Sequence, residues 1–195
     1  SKAEKNKTYT SEQEKEIFEY LEKNDPLLLL YIKFISFNFL RPVEVNRLLV
    51  KSINLKEKKL SVKTKTNKLK TKIIPDILLQ ELPDLSQLNQ DNYLFTPNGL
   101  GLEWVAEENN RRDSFSKRFK TVIKDHFNLG SEYGLYSFRH TFITKLYRNL
   151  RENKSPHETK GILMNITGHV TMDALEKYLR DIDAELPEDY SNLIR

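Results

Sequence analysis

The sequence contains no cysteine, which excludes disulfides and thiolate-bound metals and is compatible with a reducing compartment. It also lacks a long apolar run. The longest, residues 26–40, is interrupted by three polar residues and is shorter than the roughly 20 residues that cross a bilayer. There is no glycine-rich phosphate loop, and the histidines have no zinc-ligand spacing: His126, His140, His157 and His169. We therefore expect a cytoplasmic protein that uses no metal and no cofactor and does not enter a membrane.

Positive charge is concentrated in one stretch of the chain. The net charge is only +4, yet residues 51–72 carry nine lysines and one glutamate, whereas residues 181–189 are acidic. Such a basic stretch within a folded domain is a candidate surface for contacting phosphates. Lysines that simply face water on a hairpin would give the same composition, so charge by itself leaves both interpretations open.

The spacing of apolar residues predicts a mainly α-helical domain with a small three-stranded antiparallel sheet. Between residues 51 and 75 the apolar period becomes that of strands, separated by polar turns. A short strand at 93–95 and a turn at 97–99 follow. Helical periodicity and capping residues predict the helices: 11–23, 26–39, 42–50, 77–82, 113–127, 137–150, 156–167 and 171–180.

Three separated motifs carry polar residues that need a common explanation. Arg41 and Glu44 form an R-x-x-E pair just after an apolar helix. Residues 136–141 read Tyr-Ser-Phe-Arg-His-Thr. A Gly-His pair at residues 168–169 is followed, nine residues after the histidine, by Tyr178. Each motif alone is common, so only the ordered set is informative.

This ordered set resembles the catalytic domains of the tyrosine recombinases of the phage-integrase family. These show R-x-x-E near the start, H-x-x-R-H later, and then G-H with the nucleophilic tyrosine nine positions on. The resemblance covers about residues 10–180. It implies a DNA breaking-and-rejoining domain that serves integration or excision, with an origin in bacteria, phages or mobile elements.

The resemblance also implies a role for each matching position. Arg41 and Arg139 match the two arginines that bracket the scissile phosphate. His169 matches the histidine after the glycine, and Tyr178 matches the nucleophile. Tyr136 stands where the family most often has its first histidine. A tyrosine can still donate a hydrogen bond there, but it cannot act as an imidazole acid or base near neutral pH.

The family's hairpin lysine has more than one counterpart in this chain. Lys65 matches best because it lies in a Thr-Lys-Thr turn, whereas the distance to Pro75 favours Lys68. The other lysines of the hairpin are expected to contact DNA: Lys63, Lys68 and Lys70.

The chemistry of phosphate transfer explains why such residues occur together. A phosphodiester is already anionic, and its pentacoordinate transition state gathers more charge on the non-bridging oxygens. Guanidinium forks bind such oxygens in pairs and stabilise that charge. A tyrosine hydroxyl supplies the nucleophile and forms a covalent intermediate. The departing 5′ oxygen needs a proton, which an ammonium group can deliver.

Several of these residues also have purely structural interpretations. Glu44, in a first helical turn, is expected to bond backbone N–H groups and to orient the preceding arginine. His140 is expected to be a buried, hydrogen-bonded support, and Gly168 a helix C-cap. Tyr178 by itself would be interpreted as a core aromatic. Tyr190 competes as nucleophile by position, but its acidic surroundings are unfavourable for approaching a phosphate.

The resemblance also implies a division of the chain: residues 1–10 are expected to be a linker from a missing N-terminal core-binding domain, residues 11–180 the catalytic domain, and residues 181–195 a C-terminal tail. The partner is expected to be double-stranded DNA, with a homotetramer on DNA for the full-length protein and a monomer for this fragment. By the same resemblance, the tail over residues 182–194 is expected to dock on a neighbouring protomer in the DNA-bound assembly and in cis in the isolated monomer, with a frayed end as the alternative. Two other functions remain open: a type IB topoisomerase and a non-enzymatic helical DNA-binding module.

Overall fold

A computed structural model of the chain describes residues 6–64, 66, 68–169 and 171–195. The chain divides between Phe142 and Ile143 into two compact units, called unit 1 and unit 2 below. No helix within the described residues is long and apolar enough to cross a membrane.

Unit 1 holds most of the elements. In chain order they are α1 (Ser11–Asn24), α2 (Pro26–Asn38), α3 (Pro42–Arg47), β1 (Ile53–Asn54), β2 (Lys59–Lys63), β3 (Leu69–Ile73), α4 (Asp76–Leu79), β4 (Phe95–Thr96), β5 (Gly99–Leu100) and α5 (Glu108–Phe119). Helix α6 (Leu135–Arg151) begins in unit 1 and continues past the boundary. Unit 2 adds α7 (Pro156–Thr167), α8 (Met172–Asp181) and a final 3-10 turn (Ser191–Leu193).

Side-chain caps fix where several helices begin. The Thr10 hydroxyl accepts from the N–H of Gln13, whose side chain bonds back to the Thr10 N–H, so α1 starts in a capping box. Asp25 caps α2 by accepting from the Leu28 N–H, with proline at the first helical position. Ser155 and Glu158 form the capping box of α7. The predicted starts of these three helices are confirmed.

Helix α2 lies at the centre of unit 1, which explains why it is apolar nearly all round. The Tyr31 ring stacks on Phe115 of α5 with centroids 4.3 Å apart, and Phe95 packs edge-on against Tyr31 at 5.3 Å. Phe34 packs edge-on against Phe95 at 5.5 Å. These aromatic contacts join α2 to α5 and to β4, so the segment that follows α2 is held firmly in place.

The predicted three-stranded antiparallel sheet is confirmed, with the order β1-β2-β3. Leu60 and Val62 of β2 are buried, and their cross-strand partners in β3 are Lys72 and Lys70. Because side chains alternate along a strand, these four residues share one face. Two lysines of β3 therefore lie on the face of the sheet whose β2 residues join the core.

The opposite face of the sheet is open to solvent. Leu69 and Ile73 of β3 are 68% and 70% exposed. Each is paired across the strands with a lysine of β2, Lys63 with Leu69 and Lys59 with Ile73.

Three predicted helices differ from the structure at their ends, and one of them, expected over residues 77–82, spans only Asp76–Leu79. The helix expected over residues 42–50 ends at Arg47, because Leu48 and Leu49 are extended and pair with the segment before β4: the Leu94 N–H donates to the Leu48 carbonyl over 2.8 Å. The helix expected over 113–127 begins earlier, at Glu108, and continues as a π-helical turn over Lys120–Lys124. The first turns of α5 are almost wholly polar, so the spacing of apolar residues did not predict that they are helical.

The expected strand at 93–95 is also displaced. The hairpin pairs Phe95–Thr96 with Gly99–Leu100, and Tyr93 makes only an isolated bridge to Leu49. The turn predicted at residues 97–99 does connect the two short strands.

Tyr9 attaches the segment before α1 to unit 1. Its N–H donates to Thr141 Oγ1 over 2.8 Å, and its hydroxyl donates to the Gly134 carbonyl over 3.2 Å. The Tyr9 ring lies 4.5 Å from the Phe138 ring and is buried. The last residues of the predicted linker, 1–10, thus pack with unit 1, and its origin as a linker remains a prediction.

Candidate active site

Arg41 stands at the entrance to α3, where Glu44 orients it. The Arg41 N–H donates to Glu44 Oε1 over 2.8 Å, and the guanidinium lies 3.7 Å from the same oxygen. The Glu44 side chain is only 6% exposed, whereas that of Arg41 is 42% exposed. The Glu44 carboxylate therefore accepts a backbone hydrogen bond at the start of α3, as the sequence predicted, and the Arg41 side chain stays partly exposed to solvent.

Arg139, in the first half of α6, is held by the end of α2. The residue is 2% exposed, and its Nε–H donates to the Phe39 carbonyl over 2.9 Å. Phe39 ends α2 in the left-handed conformation, with φ 55°. That conformation turns the carbonyl out of the helix direction and towards the arginine.

Two lysines of β3 complete a cluster of cations with these arginines. Burial lowers the pKa of Lys70; Glu44 raises it in part, and the two arginines lower it further. Burial likewise lowers the pKa of Lys72 to about 7, with Lys70 and Arg139 adding to the effect. Lys72 and Arg139 bond to the adjacent carbonyls of Asn38 and Phe39, three and two residues before Arg41, so these side chains share one end of α2. We call Arg41, Lys70, Lys72 and Arg139 the cationic cluster.

The C-terminal end of α2 binds two members of the cationic cluster through consecutive carbonyls. Lys72 Nζ donates to the Asn38 carbonyl over 2.5 Å, next to the bond between Arg139 and Phe39. The last carbonyls of a helix carry partial negative charge and lack intrahelical partners, so they favour cations. The helix end thus partly offsets the mutual repulsion of the cluster.

Tyr136 and His140 lie one turn apart on α6. Tyr136 is 37% exposed, and its ring lies 6.3 Å from that of the half-buried His140. Burial lowers the pKa of His140 to about 4, and Arg139 adds to this effect. His140 is therefore neutral at pH 7, which suits the supporting role expected for it rather than direct charge on a phosphate.

Lys65, the predicted hairpin acid, lies outside the described residues. Of the predicted DNA-contacting lysines, Lys70 joins the cationic cluster, whereas Lys63 is exposed on the opposite face of the sheet and Lys68 is exposed at the turn. Arg47 holds the start of the hairpin turn, because it donates to the Thr64 carbonyl over 2.8 Å.

In unit 2, the end of α7 presents His169 to Tyr178 of α8. Gly168 caps α7 in the left-handed conformation, with φ 78°, as the sequence predicted. His169 Nδ1 lies 2.7 Å from the Thr167 hydroxyl. The rings of His169 and Tyr178 are 4.9 Å apart and inclined at 45°. Tyr178 is half-buried, while Tyr190 is 58% exposed.

Two residues of the site were not predicted from the sequence. Lys72 could have been found by strand alternation, because it lies two residues beyond Lys70 and must share its face. Thr167 had no sequence signal, since its contact with His169 depends on the glycine turn between them. Among the described residues, no group of three or more metal-ligating side chains is placed to hold an ion.

Solved structures of tyrosine recombinases share this fold. XerA recombinase has a TM-score of 0.62 at 16% identity, over 93% of this chain and 61% of XerA. The Tn1549 transposon integrase, solved with a circular intermediate DNA, has a TM-score of 0.66 at 15% identity, over 91% of this chain and 62% of that one. The catalytic domain of bacteriophage HP1 integrase has a TM-score of 0.56 at 15% identity, over 92% of this chain and 90% of that domain.

The fold is that of a tyrosine recombinase catalytic domain, mainly helical with a small antiparallel sheet. The model of the phage integrase family matches residues 7–184, so the chain belongs to that family. Among curated proteins, none matches the sequence of this chain. The chain spans 61% and 62% of the lengths of the XerA and Tn1549 structures.

Proposed function

We propose that this chain is the catalytic domain of a site-specific DNA recombinase that cuts and rejoins strands through a covalent 3′-phosphotyrosyl bond at Tyr178. The observation that carries the proposal is the cationic cluster. Arg139 and Lys72 bond to consecutive carbonyls at the end of α2, two and three residues before Arg41, although Arg41 and Arg139 are about a hundred residues apart in sequence. Such a group of cations suits a phosphodiester whose charge grows during reaction.

The proposed reaction begins with attack of the Tyr178 hydroxyl oxygen on the scissile phosphorus. The bond from phosphorus to the 5′ oxygen breaks, and that oxygen takes a proton from a lysine ammonium, which the family resemblance assigns to Lys65. A 5′-hydroxyl from another strand then reverses the reaction and releases the tyrosine. Side chains supply all the charge required, so the proposal needs no metal and no nucleotide cofactor.

The proposed partner is double-stranded DNA, bound mainly through phosphates. The Tn1549 integrase, whose fold resembles that of this chain, was solved in complex with a circular intermediate DNA. By the same resemblance the full-length protein is proposed to act as a homotetramer on DNA, in the cytoplasm.

A pool of nicked DNA duplexes tests the proposal even though the target sequence is unknown. The sequence around the nick is randomised, and cleavage close to the nick releases a short strand that diffuses away, so the covalent complex accumulates. The wild-type chain is expected to form an adduct that maps to Tyr178 by peptide mass spectrometry. Tyr178→Phe should form none, whereas Tyr190→Phe should react as the wild type does.

A second step of the same experiment separates the alternatives. A 5′-hydroxyl strand from another duplex is added to the isolated adduct, and transfer to that strand is expected of a recombinase. Rejoining confined to the original duplex would instead indicate topoisomerase chemistry. DNA binding without any adduct would leave only a binding module and refute the proposal.

A further inference from the structure

We infer that Thr167 is a positioning residue that fixes the His169 ring in one tautomer, with its hydrogen on Nδ1 and its lone pair on Nε2. The tautomer follows from hydrogen bonds within unit 2, while its consequence for DNA cleavage rests on the proposed function.

The single hydrogen of the Thr167 hydroxyl determines the direction of its two hydrogen bonds. Thr167 is the last residue of α7 and is 2% exposed, and its hydroxyl donates to the Leu163 carbonyl over 2.8 Å. The same oxygen lies 2.7 Å from His169 Nδ1. Because the hydroxyl hydrogen is already engaged, the hydrogen in the second bond must come from Nδ1, with the hydroxyl oxygen accepting. A neutral imidazole has only one N–H, so Nε2 then holds the lone pair.

The backbone brings these two side chains together. Gly168 lies between them with φ 78°, and its N–H donates to the Met164 carbonyl over 2.9 Å, which closes the end of α7. This left-handed turn reverses the chain within one residue, so that His169 folds back over the last turn of its own helix. The bond from Thr167 to the carbonyl four residues earlier selects one rotamer of a β-branched side chain.

This tautomer determines what His169 can do for Tyr178. With Nδ1–H directed at Thr167, Nε2 is the nitrogen that exchanges protons during the reaction. As the Tyr178 oxygen bonds to phosphorus, the phenol proton passes to Nε2, and the 5′ oxygen departs with a proton from a lysine. The opposite tautomer would carry a hydrogen on Nε2 and could not accept that proton.

Nuclear magnetic resonance of the intact chain, with ¹⁵N-labelled histidine, reads the tautomer directly. The ¹⁵N chemical shift of each ring nitrogen depends on whether that nitrogen is protonated. The His169 signals are those, among the signals of the four histidines, that disappear in His169→Gln. At a pH where the ring is neutral, the wild type is expected to be protonated at Nδ1. Thr167→Val removes the acceptor while keeping the side-chain shape, and should shift His169 towards the Nε2–H form. Thr167→Ser keeps the hydroxyl and should restore the wild-type signals.

Thr159 provides a matched control. It is also a fully buried threonine of α7, but its hydroxyl has no hydrogen-bond partner among the described residues. Thr159→Val should therefore leave the His169 signals unchanged. An Nε2–H tautomer in the wild type, or an Nδ1–H tautomer that survives in Thr167→Val, would overturn the inference.

The rate of adduct formation provides the functional readout. Thr167→Val is expected to lower the single-turnover rate about ten- to a hundredfold, the size of effect seen when metal-binding histidines lose an orienting partner, without changing the DNA concentration at half-saturation. Thr167→Ser and Thr159→Val should react like the wild type. A wild-type chain that forms no adduct would refute the proposed function, while the tautomer measurement would still decide the role of Thr167.

Discussion

A hydrogen bond joins Arg139 to Phe39 across a hundred residues of sequence: the Arg139 Nε–H donates to the Phe39 backbone carbonyl over 2.9 Å. One edge of the guanidinium is therefore anchored to the backbone. Its orientation depends on the left-handed conformation of Phe39, φ 55°, which directs the carbonyl towards it. An arginine anchored by a neutral carbonyl keeps its full charge for the phosphate.

Replacing Arg139 with lysine is expected to abolish most of the adduct. A lysine has one nitrogen, so it cannot bond to the Phe39 carbonyl and also present a planar fork to a phosphate. We expect the single-turnover rate to fall by about 10²–10³, the usual effect of losing one donor to a developing anion. Arg118→Lys is the matched control, because Arg118 makes a bidentate bond to Asp25, also within unit 1. Arg118→Lys should lower the stability of the protein but not the rate of adduct formation by the folded protein. Equal rates for Arg139→Lys and the wild type would refute the role of Arg139.

Lys72 should make the stability of the fold depend on pH. Its pKa falls from 10.5 to about 7 on folding, so between these values the unfolded chain binds a proton that the folded chain does not. The free energy of unfolding of the wild type therefore gains a contribution from Lys72 that rises with pH over this range. Lys72→Met lacks this titration, so its stability relative to the wild type should be greatest near pH 7 and decline towards pH 10.

Urea unfolding at several pH values measures this difference. Lys72→Arg, which stays charged throughout, should show no rise over the same range and serves as the control. A difference between wild type and Lys72→Met that is constant from pH 6 to pH 10 would contradict the lowered pKa.

DNA affinity should depend steeply on salt, because it is proposed to rest on phosphate contacts. Removing one such contact lowers the slope of log affinity against log salt by about 0.9. We expect this change for Lys70→Met, in the cationic cluster, and no change for Lys59→Met on the opposite face of the sheet. Fluorescence anisotropy with a labelled duplex at increasing salt measures both slopes, and identical slopes for the two variants would count against the cluster as the DNA-contacting face.

The C-terminal tail consists of two parts that should respond differently to truncation. Ala184 is buried, and Glu185 pairs with Lys160 over 2.9 Å, so the chain up to this point packs within unit 2. The apolar residues beyond it are 58–85% exposed: Leu186, Tyr190, Leu193 and Ile194. If they dock on a neighbouring protomer, truncation after Glu185 should preserve adduct formation by the full-length protein but abolish strand exchange. Normal exchange by the truncated protein would exclude docking.

The sequence predicted best the helix ends that are fixed by contacts between residues close together in the chain. Helix α7 was predicted to the residue, because Ser155 and Gly168 terminate it with local chemistry. The start of α5 at Glu108 was missed, since its first turns are almost wholly polar and carry no apolar periodicity. The apolar residue that anchors this helix, Phe115, stacks on Tyr31 of α2, a tertiary contact that periodicity does not predict.

The sequence predicted some residues of the candidate site and not others. Arg41 and Arg139 were identified by their motifs; both lie in unit 1, with Arg139 bonded to the Phe39 carbonyl two residues before Arg41, and their catalytic roles stay predictions. Lys72 was not predicted because the turn motif favours the lysines near the tip of the hairpin, although strand alternation would have indicated it. The role of Thr167 was not predicted, because it follows from the two hydrogen bonds of its hydroxyl group, which the sequence does not show.

The open face of the small sheet bears on the protein's resistance to aggregation. Leu69 and Ile73 are exposed apolar residues on an edge strand, an arrangement that invites pairing with the same strand of another molecule. Each is directly opposite a lysine, Lys63 or Lys59, and the repulsion between these ammonium groups keeps two such edges apart. Solubility is thus coupled to lysine charge at this face. Acetylation of these two lysines would remove the repulsion and favour self-association through this strand.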